Sequence, residues 1–339
     1  MKFKTRLRAV AAAACAFAIL PAAQADGPFP ERKVRASLVL AKDHSLGKGL
    51  THFAECAAEK TGGKFKVQTF FDGALGNDAP AIVQARTGTL DLVVTATSAM
   101  SQMIPSAAVF DLPFLFANEK EADAALDGTS GQLLSKRLET VGLVNVTYLE
   151  NGFRNVTNSK RPVRRMEDLK GLKIRSMPNP MVVETFKALG GYAFPMPFTE
   201  LYSALETGAV DAQENPLPII ETAKFYEVQK YLSMTRHMYN PSLLVYSKKL
   251  FDQLTPPEQA MLRACGDSMR AYQRKVNRDM VAQGTSHLQS KGMVVNDIAP
   301  AEQARMREAA QVVWKDSAKA IGADMMAAVQ ADLKKVRGQ

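Results

Sequence analysis

Short apolar strands alternate with amphipathic helices twice along this chain, and that alternation constrains the fold more than any other feature. Residues 34–40 read as a strand. Residues 47–60 read as a helix with Leu50, Phe53, Ala54, Ala57 and Ala58 on one face, stopped by Thr61-Gly62-Gly63. A strand at 65–70, a helix at 79–87 and a strand at 90–95 follow. The order returns with a strand at 172–175, a helix at 180–189, a strand at 192–194, a helix at 198–207 and a strand at 210–213. Strands spaced by helices imply parallel sheet covered on both faces. Two such successions imply two α/β lobes, and segments near 143–148 and 243–246 read as strands that cross between them.

The last third is different. From Pro256 to about Ser290 there is one long helical pattern, with Met261, Leu262, Cys265, Met269, Tyr272, Val276 and Met280 at helical spacing. Thr255-Pro256-Pro257-Glu258 supplies an N-cap, a first-turn proline and an acid. About thirty residues extend roughly 45 Å, longer than one lobe needs, so the helix is expected to lie along both. The methionine-rich stripe reads as core packing. A strand at 293–295 and a helix from about 300 to 334, with a break near Gly322, complete the chain.

The first 25 residues stand apart. Lys2, Lys4, Arg6 and Arg8 precede an apolar run from 9 to 20, then Pro21 and Ala23-Gln24-Ala25. This is the pattern of a secretory signal peptide cleaved after Ala25, and the run is too short to span a bilayer. Alanines before Cys15 argue against a lipid anchor there. Without the four leader bases the chain holds 39 Lys and Arg against 34 Asp and Glu, a net charge of +5, too mild to argue for nucleic acid. Cys56 and Cys265 remain. Export permits a disulfide, but sequence cannot show proximity, and two unpaired thiols are expected.

Reactive chemistry is not apparent. No phosphate-binding loop, H-E-x-x-H, C-x-x-C or G-x-S-x-G motif occurs. His44, His52, His237 and His287 share no metal-ligand spacing, so neither metal nor cofactor is expected, and Gly128-Thr129-Ser130-Gly131 reads as a capping turn. What remains are polar groups at strand ends, where open α/β sheets bind ligands. Arg175 ends 172–175, Asn215 follows 210–213, Thr95 and Thr97 end 90–95, and His44 follows the first strand. A guanidinium is suited to gripping a carboxylate through paired hydrogen bonds.

Five runs carry a resemblance: FDGALGNDAPAIVQARTGTLDLV, VFDLPFLF, EDLKGLKIRSMPNP, ELYSALETGAVDAQENP and YEVQKYLSMTRHMYNP. In this order, over about residues 34–295, the chain resembles the solute-binding subunits of tripartite ATP-independent periplasmic (TRAP) transporters. The resemblance implies a periplasmic binding protein-like α/β fold, two lobes around a central cleft joined by crossing strands and a long helix. It implies no enzyme activity, an organic-acid ligand and delivery to small and large membrane subunits. By the same resemblance Arg175 clamps the ligand carboxylate, Arg154 in NGFRNVTNS supports it, and Asn215 in the QENP run hydrogen-bonds carboxylate or arginine. Phe198 packs on the ligand, His237 lies near the cleft, and His44 and Thr97 meet the variable part of the ligand.

Each position also has a plain structural reading. Arg175 can be a surface ion-pair residue, Arg154 a brace at the hinge, Asn215 a helix cap before Pro216, Phe198 core and His237 a satisfied buried histidine. The expected division places 26–152 with about 241–280 in lobe 1, and 153–240 with about 281–339 in lobe 2. Loops at 95–102 and 237–241 depart from dicarboxylate binders and lean the ligand towards a sugar acid or hydroxy acid. Two rival functions are a binding protein of an ATP-driven importer and an exported hydrolase, the latter distinguished by turnover.

Overall fold

The computed structural model describes residues 29–339, and the expected leader lies outside them. β1 (Arg32–Leu38), α1 (Ser45–Lys60), β2 (Phe65–Phe70), α2 (Asp78–Thr87), β3 (Leu92–Ala96) and a short α3 (Thr97–Met100) open the chain. α4 (Glu119–Asp127) and α5 (Thr129–Thr140) precede the 16-residue β4 (Leu143–Asn158). β5 (Lys173–Ser176), α6 (Pro180–Ala188), β6 (Tyr192–Pro195), α7 (Leu201–Glu206), β7 (Ala212–Asn215) and α8 (Leu217–Thr222) repeat the alternation. The 17-residue β8 (Tyr231–Ser247), α9 (Lys248–Phe251) and α10 (Pro256–Ser290) follow, then β9 (Val294–Asp297), α11 (Pro300–Ala309), α12 (Gln311–Ile321) and α13 (Ala323–Arg337).

The strands form one mixed sheet in the order β2-β1-β3-β8-β4-β7-β5-β6, with β9 on β8. The expected parallel pairing holds on the flanks: β1 with β2 and β3, and β5 with β6 and β7. The centre is antiparallel, because β4 and β8 pair with each other and with β7 and β3. These two long strands cross between the lobes. Their register shifts at Glu150/Gly152, where Gly152 takes φ 111°, a conformation that a side chain disfavours.

α10 has the bounds the sequence predicts and begins with a reciprocal cap: Glu258 N donates to Thr255 Oγ1, and Thr255 N donates to Glu258 Oε2 at 2.7 Å. It packs on α1, β4 and α8, and so bridges both lobes. Gly266 permits the contact with β4, since a Cβ there would come within 2.8 Å of Val146 Cγ1. The expected apolar stripe holds only in part. Met261, Leu262, Cys265 and Met269 are buried, each worth about 1.5–3 kcal/mol. Further along, Gln273, Arg274 and Asn277 turn inward while Tyr272 is 39% exposed. The reason is the polar crossing of β4: Gln273 bonds both Glu150 N and Glu150 O, and Asn277 Nδ2 donates to Glu150 Oε1 at 2.9 Å.

One expectation is corrected here. Cys56 on α1 and Cys265 on α10 form a disulfide, because packing α1 on α10 joins residues 209 apart in sequence. The tail breaks at Gly322, φ 95°, as expected, and also at Ala310, giving three helices, the last of which is α13. It packs on α4 and α5, where the Asp332 carboxylate accepts from Thr129 N and Ser130 N.

Candidate functional site

The lobes meet across a cavity of about 220 Å³, below the ~300–1,000 Å³ of sites that take drug-sized molecules. Leu38–Leu40 at the end of β1, the start of α2 and the end of β3 form one wall. Arg175 at the end of β5, Met177-Pro178, Pro197-Phe198 and Asn215 at the end of β7 form the other. The rims touch. Asn77 Nδ2 donates to Thr199 Oγ1 at 2.9 Å on one side, and Gln102 Nε2 donates to the Pro178 carbonyl at 3.0 Å on the other.

Arg175 is 1% exposed. Its Nε and Nη2 donate to the Met196 carbonyl at 2.9 and 2.6 Å, and its guanidinium carbon sits 5.9 Å from the centre of the Phe198 ring. Nη1 is buried with no partner. Burial lowers the guanidinium pKa to about 10, with Glu214 opposing the shift. Two of its five N–H groups are used, so a buried cation with spare donors stands in the cavity wall.

Arg154 is more fully engaged. Its Nε and Nη2 clasp Glu214, with Nη2 to Oε1 at 2.8 Å; Nη2 also donates to Asn215 Oδ1 at 2.9 Å, and Nη1 to Asn240 Oδ1 at 3.2 Å. Arginine only donates, so it sets the orientation of both amides. Asn215 Nδ2 then donates to Gln213 Oε1, and Asn240 Nδ2 to Ser98 Oγ at 2.9 Å. Burial would raise the Glu214 carboxyl, but Arg154 and His237 outweigh it and hold the pKa at about 2.

Arg175, Arg154, Asn215 and Phe198 therefore line one cavity, whereas His44, Thr97 and His237 do not reach its wall. His44 is the N-cap of α1, its Nδ1 accepting from Leu46 N at 3.1 Å, and burial with the Lys48 charge lowers its pKa to about 3. Thr97 Oγ1 donates to the Pro241 carbonyl at 3.4 Å. His237 lies behind Arg154, with Nε2 3.2 Å from Glu214 Oε2 and Nδ1 2.9 Å from Thr235 Oγ1. A carboxylate only accepts, so His237 donates through Nε2. The local pairing claims the Thr97 hydroxyl and both ring nitrogens of His237, while His44 keeps Nε2 buried without a partner. Asp78, Asn151 and Ser242, also in the wall, escaped the sequence reading. Asp78 lies inside the FDGALGNDAP run and Asn151 three residues before Arg154, but neither ends a strand of the predicted pattern.

Behind the cavity, Ser98 Oγ and Asn179 Nδ2 donate to the Asp111 carboxylate at 2.6 and 2.9 Å, the second bond crossing between lobes. Burial outweighs these bonds and lifts Asp111 from 3.8 to about 7. A raised carboxyl holds its proton more tightly in the folded state than in the unfolded. Its contribution to stability is thus full at low pH and is lost as pH rises towards about 7. Buried His44, with its pKa lowered to about 3, acts in the opposite sense over the same range, so the test is comparative. The melting temperature at pH 5 minus that at pH 8 is expected to be smaller in Asp111→Asn than in wild type. An unchanged difference in the variant would remove Asp111 as its cause.

Two lobes that enclose one small cavity, linked by crossing strands and a spanning helix, make a cleft-type ligand-binding protein. No helix among the described residues is long and apolar enough to cross a membrane. The chain belongs to the bacterial extracellular solute-binding proteins, family 7, whose model matches residues 36–320. It is similar to the 2,3-diketo-L-gulonate-binding periplasmic protein YiaO of Escherichia coli, 42% identical over 224 residues, 66% of this chain and 68% of that one. Among solved structures it is similar to the sugar acid binding protein DctPAm of Advenella mimigardefordensis in complex with galactonate, with 40% identity, a TM-score of 0.89, and 91% and 99% of the two chains covered. It is also similar to a TRAP periplasmic solute-binding protein of Polaromonas sp. JS666 bound to D-erythronate, with 36% identity, a TM-score of 0.85, and 89% and 99% covered. The chain is a TRAP solute-binding protein with the two-lobed binding-protein fold.

Proposed function

We propose that Arg175 is the carboxylate anchor of a small organic acid held between the lobes, and that the closed protein delivers this acid unchanged to the small and large TRAP membrane subunits. The observation that carries the reading is that Arg175 lines the cavity while its buried Nη1 has no partner. Asn215 keeps a second amide hydrogen for the same carboxylate, Phe198 packs beside the guanidinium, and Arg154 orients Asn215. His44, Thr97 and His237 act from behind the wall. Micromolar binding requires about 8 kcal/mol. Charge-assisted bonds to one carboxylate supply about 1.5–3 kcal/mol each, and apolar contact with Leu38, Met177 and Phe198 adds to them. Export follows from the basic and apolar leader, with cleavage after Ala25.

A thermal-shift screen of organic acids with the mature protein tests this. The acid that raises the melting temperature of the wild type is expected to bind Arg175→Ala about thirtyfold or more weakly, the cost of removing one partner of a buried charge pair. Equal shifts in both proteins would displace Arg175 as anchor. Recovery of a chemically altered ligand would favour the hydrolase reading instead.

A further inference from the structure

The positive charge of this chain is not spread over its surface. The turn from 159 to 173 carries Lys160, Arg161, Arg164, Arg165, Lys170 and Lys173 against Glu167 and Asp168. Main-chain bonds tie this turn to the starts of neighbouring strands. Lys230 N donates to the Asn158 carbonyl at 3.1 Å, and Val294 N, just beyond Lys291, donates to the Lys230 carbonyl at 2.8 Å. Asp211 N donates to the Lys173 carbonyl at 2.9 Å. Lys230 and Lys291 therefore join the six bases on one end of lobe 2, and Asp211 adds a third acid. Eight bases against three acids leave +5, which is the whole excess of the chain without its leader. The other 31 bases and 31 acids balance.

Most of this charge is free. Lys160 pairs with Asp211 at 3.3 Å and Arg165 with Asp168 at 3.6 Å, while Glu167 is held by Arg305 of α11 at 2.6 Å. Arg161 braces the turn by donating to the Asp168 and Lys170 carbonyls. Arg164, Lys170, Lys173, Lys230 and Lys291 are exposed, and none of them forms an ion pair among the described residues. Lys230 and Lys291 lie over the Tyr231 and Tyr226 rings, which position the charge without neutralising it. Glu206 and Glu227 lie at the Tyr202 hydroxyl instead. Beside Lys173, its register partner Tyr192 is 64% exposed and meets the Phe194 ring edge-on at 4.6 Å. Arg175 and Asn215 stand at the opposite ends of these strands, and no base of the patch lines the cavity.

We propose that this end of lobe 2 docks on an anionic phospholipid surface and holds the protein beside a membrane with its cleft free. The use of such a contact rests on the TRAP reading: confinement near the bilayer raises the effective concentration of the protein at its membrane subunits. The free cations are spread over a turn and two strand starts, which suits a sheet of headgroups rather than one small anion. Each exposed Lys or Arg near an anionic leaflet adds to the attraction, which falls off within a Debye length. An exposed tyrosine is the side chain that settles at headgroup level.

Co-sedimentation of the mature protein with lipid vesicles tests the patch. At about 0.1 M salt, phosphatidylcholine vesicles with about 30% phosphatidylglycerol are expected to bind it at least about tenfold more strongly than phosphatidylcholine alone, and about 0.5 M salt to abolish the difference. The triple variant Arg164→Glu, Lys170→Glu, Lys230→Glu is expected to lose this binding. Lys33→Glu, Lys60→Glu, Lys66→Glu makes the same charge change at exposed positions of lobe 1 and is expected to keep about half of it or more. Far-ultraviolet dichroism confirms that both variants are folded. Equal losses in the two variants would make net charge the cause and overturn the patch. Equal binding of the wild type to neutral and anionic vesicles overturns it too. So does a protein that ignores anionic vesicles yet binds neutral vesicles carrying the membrane subunits, since the cations would then meet a protein. The assay needs neither ligand nor Arg175, so its failure leaves the carboxylate anchor standing, and failure of the anchor leaves the patch standing.

Discussion

Replacing Glu214 with leucine lowers the unfolding free energy by about 3–5 kcal/mol, the cost of stranding a buried charge. Arg154 is fully buried, and Glu214 is its only ion-pair partner among the described residues. Without that carboxylate the guanidinium keeps only amide and carbonyl acceptors. His237 loses its acceptor as well. Chemical denaturation of the single variant measures the loss. The double variant Arg154→Met, Glu214→Leu is expected to recover much of it, since a buried pair replaced by apolar groups of similar volume is often neutral. A single variant as stable as wild type would mean that Arg154 is solvated rather than clasped. The pair also has a pH signature. The folded-state pKa of Glu214, about 2, is below its ordinary 4.5, so its stabilisation is complete above about pH 4.5 and is lost as pH falls towards 2. Because Arg154 orients Asn215 and Asn240, the double variant is expected to remain folded yet bind its acid more weakly.

The second large effect belongs to the disulfide. Cys56→Ser with Cys265→Ser is expected to destabilise the protein by about 2–5 kcal/mol, since closing a loop of 209 residues removes much freedom from the unfolded chain. Neither cysteine lines the cavity, so ligand affinity should be retained. Dithiothreitol should lower the melting temperature of the wild type and leave that of the double variant unchanged. Equal responses to reductant would show that the bond does not form in the exported protein. The bond holds α1 to α10, the helix that bridges the lobes.

Much of this protein is legible in its sequence because the signals are local. Alternating periodicities yield the two α/β successions, and Thr255-Pro256-Pro257-Glu258 marks the start of α10 at its true residue. Arg175 and Asn215 follow from one rule, that ligands meet open sheets at the ends of their strands, and both line the cavity. The misreadings are long-range. Nothing near Cys56 signals Cys265, and nothing in the helical stripe announces that Gln273 and Asn277 turn inward to meet Glu150. His44 and Thr97 sit at strand ends as the rule requires, but a nearby amide takes His44 Nδ1 and a carbonyl 144 residues away takes the Thr97 hydroxyl, and neither residue lines the cavity.

The sequence by itself determined the class of fold, the family and the placement of Arg175 and Asn215 at strand ends, because periodicity, caps and motif runs need only neighbouring residues. The tertiary structure decided which polar atoms remain unsatisfied. That depends on hydrogen bonds closed across the sheet: Met196 takes two of Arg175's donors, Glu214 and two asparagines take those of Arg154, and Asn240 in turn orients Asn151. A buried donor or acceptor that folding leaves without a partner calls for one, and that remainder exists only once every strand is in register.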